Sequence, residues 1–124
     1  MTAYSYIPLA ALGLLLLAPV EKARPFLDAH RDDLVGEFGK AAIDDLETAL
    51  EGDLDAARRF AEEIVPGASL VLKPHDRQGY TAVEYSAADG GISGRMSSPR
   101  EAPARLFAAA AIELWYKLAH PRAA

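Results

Sequence analysis

The sequence predicts an α+β fold: N-terminal helices, then a three-stranded antiparallel meander, then a C-terminal helix. Three observations carry this. Apolar residues recur at helical spacing through most of the first 66 positions. Short alternating runs divided by proline and glycine take over at Ala68. A long alanine-rich helical period then closes the chain. At 124 residues the chain has the length of one domain, 1–124, with a helical half, 1–66, and a meander-plus-helix half, 67–124. A domain of this size buries on the order of two-thirds of the surface its unfolded chain exposes. It can therefore hold a core without staples, as it must, because it has no cysteine. Disulfides, thiolate metal sites and a cysteine nucleophile are excluded by that absence.

The first element is "IPLAALGLLLLAPV", 7–20. Its fourteen residues would make a helix of about 21 Å, short of the ~30 Å of hydrocarbon a span must cross. "MTAYSY" before it carries no lysine or arginine, and "LLAPVEK" after it offers no small-x-small cleavage pattern. A buried or interface helix is the leading expectation; membrane association and a signal-like role stay open. Because the run is apolar all round, it must be covered on more than one side. Self-association between Ile7 and Ala18 would do this.

A single long helix is expected over "RPFLDAHRDDLVGEFGKAAIDDLETALEG", with Pro25 in its first turn. Leu27, Leu34, Phe38, Ala42, Leu46 and Leu50 make its stripe, widened by Val35 and Ile43. Gly36 and Gly39 are weak points that suit a kink or a close crossing. Gly52 ends it. Asp53 then caps "LDAARRFAEEI", whose apolar face is Leu54, Ala57, Phe60, Ala61 and Ile64, and "VPG" stops that helix.

The strands are "SLVLK", "YTAVEYSA" and "ISGRMS". Asp89-Gly90 favours a tight hairpin turn between the second and third. Gly94 weakens the third strand, having nothing to pack. "SPRE" reads as a capping box for the last helix, with Ser98 as cap, Pro99 at the first helical position and Glu101 three residues beyond the cap. Leu106, Ala110, Leu114 and Leu118 form one stripe of that helix, extended by Phe107, Ala111 and Trp115. The four alanines Ala108 to Ala111 let another backbone come close.

Charge separates the halves. The formal net charge is −5. From Glu21 to Pro66 thirteen acidic and six basic side chains give −7; from Gly67 onward five acidic and seven basic give +2. A mildly acidic domain is repelled by a phosphate backbone, so direct nucleic-acid binding is not expected. Asp33, Glu37 and Asp44 form one acidic strip, and Glu47 and Glu51 another; a solvated helix face explains them simply, a surface complementary to a basic groove explains them functionally.

No assembled chemistry is legible. "GISGR" resembles a nucleophile elbow around Ser93, but Arg95 stands where the last glycine belongs and the motif precedes a strand instead of a strand-to-helix turn. His30, His75 and His120 lack a second ligand at metal-binding spacing. "EGDLD" has too little of a calcium loop, and capping by Asp53 explains it better. Arg95, Arg100 and Arg105 gather near the start of the last helix, where an anion would be comfortable. No enzyme activity, cofactor or metal is expected.

From Ala68 onward, "YTAVEY", "SGRMSSPREAP" and "RLFAAAAIEL" resemble the small phage proteins grouped as the phage ABA-sandwich domain. The resemblance implies a layered α/β fold and a phage or prophage source; it carries no catalytic residue. The helical first half departs from that pattern and suggests an added interface. The expected function is therefore protein binding in the host cytoplasm, by a small phage or mobile-element protein whose partner is a host or phage protein. Its sharper form is inhibition of a CRISPR-type host defence complex through the acidic residues Asp33, Glu37, Asp44, Glu47 and Glu51. A phage structural or assembly subunit held by the apolar N-terminal helix is the alternative, and a membrane-associated accessory protein a further one.

Overall fold

The computed structural model describes residues 20–74, 79–99 and 103–119. The elements run α1 (Val20–Ala29), α2 (Arg31–Phe38), α3 (Lys40–Leu50), α4 (Leu54–Ile64), β1 (Ser69–Pro74), β2 (Tyr80–Ser86), β3 (Ser93–Pro99) and α5 (Pro103–Ala119). This is the expected α+β order. The expected helix and self-association over Ile7 to Ala18 lie outside the described residues, as do His75, Arg100 and His120.

Where one helix was expected before Gly52, three form. The chain is already helical at Val20, the first described residue, so Pro25 lies inside α1 instead of in its first turn. Its missing N–H forfeits one rung of the ladder. The α1–α2 break at His30 is slight, since His30 N–H still donates to Phe26 and Leu34 N–H to His30. The break at Gly39 is sharp. Gly39 adopts φ 93°, a conformation L side chains resist, while its N–H closes α2 on Val35. Periodicity passes through Gly39 unchanged, and so reads as one helix.

The turn that leaves α4 is the type Pro-Gly demands. Ala68 N–H donates to Val65 at 3.1 Å, with Pro66 and Gly67 between and Gly67 at φ 79°. Asp53 caps α4 as expected, its Oδ1 accepting from Ala56 N–H at 3.0 Å.

The sheet has the order β1-β2-β3, all antiparallel. Asp89-Gly90 does turn the β2–β3 hairpin, but through a longer loop than the tight turn expected. Ala87 N–H donates to Ile92, Gly90 N–H donates back to Ala87, and the Asp89 carboxylate accepts from Gly91 N–H at 2.8 Å.

Ser98, expected as the cap of the last helix, stands in a strand instead, and Glu101 of the expected capping box lies outside the described residues. β3 continues through Pro99, with Ser98 paired to Thr81, and α5 starts at Pro103. The described part of the helix still starts on a proline, a residue suited to a first turn because the first helical N–H has no intrahelical partner to lose. Two X-Pro steps four residues apart offered two starts, and strand pairing with β2 claimed the first.

α5 is the middle layer. One side meets the sheet and the other meets α3 and α4. Ala108, Ala109, Ala110 and Ala111 are all fully buried. A helix apolar on every face must be covered on every face, and alanine lets both neighbours approach. Phe60 from α4, fully buried, and Phe38 from α2 meet edge to face at 5.9 Å, and Phe38 meets Trp115 of α5 at 5.0 Å. Leu118, expected in the stripe, is instead 43% exposed in the last turn of α5.

Candidate functional site

The acidic residues singled out by sequence divide into two groups. Asp44, Glu47 and Glu51 follow one another at three- and four-residue spacing along α3, so they share a face. The structure fills that face with cations from earlier helices. Arg31 of α2 donates to Asp44 at 3.0 Å and also to Glu47. Arg24 of α1 donates to Glu51 at 2.7 Å, and Lys40 reaches Asp44 at 2.9 Å. These hydrogen bonds, Lys40 foremost, hold the Asp44 carboxyl below its usual range. The hydrogen bonds that Arg31 donates, to Glu47 first and then to Asp44, raise its guanidinium above its usual range. Together the pairs bind α1 and α2 to α3 around an open depression of about 410 Å³ lined by Arg24, Asp44, Glu47, Thr48 and Glu51.

Asp33 and Glu37 are the second group. They stand one turn apart on α2, next to Asp32, and no ion pair to any of the three forms among the described residues. Asp32 and Asp33 are exposed and lie in the first turn, where negative charge suits the helix dipole. Glu37 is half-buried in the last turn, where negative charge opposes it. α3 thus carries carboxylates met by cations, and α2 carries carboxylates with no ion pair among the described residues.

Arg24 and Arg31 were not legible as partners. They lie 27, 16 and 13 residues from the carboxylates they meet, beyond any helical spacing rule. A further pair, Arg59 to Asp45 at 3.1 Å, ties α4 to α3. Beside it, Glu63 is an exposed residue whose carboxyl is pushed up to about 7 by partial loss of its hydration and then by its hydrogen bond with Asp45.

A polar network under the sheet was missed as well. Tyr85 on β2 is 3% exposed; its hydroxyl donates to Glu113 of α5 and accepts from Lys117 Nζ at 2.7 Å. The Lys117 ammonium also sits 5.1 Å from the centre of the Tyr85 ring. Burial first, then Glu113, raises the phenol well above its usual range, so it stays neutral. Gly94 on β3 is the cross-strand partner of Tyr85. A methyl group on Gly94 would overlap the Tyr85 hydroxyl and lie 2.6 Å from Cζ. The glycine that weakens the strand by its sequence is the one that seats the tyrosine. Glu113 and Lys117 at i,i+4 were the available signal; their meeting with Tyr85 was not.

The face of the sheet turned away from α5 is open and polar. Ser69, Ser86 and Ser93 lie in one cross-strand row, beside Val71, Glu84 and Arg95 in the next. Ser93 is thus the first residue of β3, on a strand and not on an elbow. Lys73 reaches Glu84 at 2.7 Å and, through that hydrogen bond, lowers the Glu84 carboxyl; Arg95 adds a smaller pull. His30 packs its ring on Phe26, with centroids 4.5 Å apart. Among the described residues no three histidine or carboxylate side chains gather as a metal site, and no helix is long and apolar enough to cross a membrane. Comparison with family models, curated proteins and solved structures finds no match to this chain.

Proposed function

We propose that this protein acts by binding another protein through the acidic outer surface of its helical half, centred on α2, and that it occludes a basic groove on that partner. The observation that carries this reading is Glu37. It opposes the dipole of its own helix, and no cation meets it among the described residues. Placement of this kind costs about 0.3–1 kcal/mol of helix stability. Residues that cost stability where no local gain offsets them are characteristic of functional surfaces. With Asp32 and Asp33 one turn away, Glu37 presents spaced negative charge to lysine and arginine, as a phosphate backbone does.

The partner that fits is a protein complex whose groove normally holds nucleic acid. A CRISPR-type host defence complex is the specific case, and the protein would then be a phage or mobile-element inhibitor. Asp44, Glu47 and Glu51 contribute less to such a contact than sequence alone suggested, because arginine already meets them; their pairs set the pose of α2.

Competition with duplex DNA for a purified RNA-guided effector complex tests the proposal. The double variant Asp33→Lys/Glu37→Lys should compete at least tenfold less well at low ionic strength, with the difference shrinking as salt rises. Glu37→Lys alone should leave the protein as stable as the parent or slightly more so, by up to about 1 kcal/mol. Undiminished competition by the double variant, or no competition by the parent protein, would overturn it.

A further inference from the structure

We draw no further inference here: the strongest candidate, the shallow depression of about 370 Å³ on the outer face of the sheet, lined by Ser69, Ser86 and Ser93 beside Val71 and Glu84, is an open face and nothing in the structure shows what covers it.

Discussion

α1 and α2 at one edge of the molecule, and α5 at its centre, are held by different physics. The outer pair buries few side chains, Ala23, Leu27 and Leu34, and is tied to α3 by Arg24 and Arg31 at the surface. α5 buries nine residues and its polar contacts are sheltered. Exposed ion pairs contribute about 0–1 kcal/mol each and weaken with salt. A fully buried large side chain contributes several times that. One domain therefore holds a rigid centre and an edge that can open locally without global unfolding. The proposed contact surface lies on that edge, where ion pairs add to a smaller share of the packing.

Removing packing at the centre should have the largest effect. Phe60→Ala empties a site where α4, α2 and α5 converge and should cost about 3–5 kcal/mol, read from the denaturant midpoint at constant slope. A cost under about 1 kcal/mol would mean that the centre is no firmer than the edge.

Gly94→Ala comes next. The added methyl must displace the Tyr85 ring, at about 1–3 kcal/mol. Tyr85→Phe removes the overlapping hydroxyl, so the double variant should be less destabilised than the sum of the two singles. Strict additivity would mean that Gly94 does not seat Tyr85.

Arg31→Met tests the edge. It should lower stability only slightly, with the loss fading at high salt. It should also speed hydrogen exchange in α1 and α2 while leaving α5 protected. Equal acceleration in α5 would erase the distinction between centre and edge.

The smallest effect is a pH dependence from Glu63. Its folded value, about 7, lies above its unfolded one. The stabilisation is therefore full below the unfolded value and is lost as pH rises through about 7. Glu63 is exposed, so solvent screens the effect and the loss is slight. Glu63→Gln should flatten the stability profile between roughly pH 4.5 and 7. If the parent loses no stability relative to Glu63→Gln across that window, the assignment is wrong.

The α+β order, the stripes of α3 and α4, the Asp53 cap and the hairpin at Asp89-Gly90 were legible because each rests on neighbours within a turn. The division at Gly39 was not, because hydrophobic spacing carries no information on the sign of φ. The start of α5 was misplaced because a strong local cap signal lost to strand pairing, a tertiary effect. The candidate surface was half legible. Sequence found the carboxylates, but which of them meet an arginine depends on how α1 and α2 fold back on α3.

The alanine run of α5 also has a consequence in time. Both layers complete their cores against a helix that is made after either of them. At about 5–20 residues per second, several seconds separate the synthesis of α4 from that of α5. During that interval the stripe of Ala57, Phe60, Ala61 and Ile64 has no permanent cover, and neither does the inner face of the sheet. The nascent chain must be shielded by other molecules or tolerate the exposure. Its vulnerability to aggregation is therefore greatest just before residues 103–119 arrive, and drops when they do.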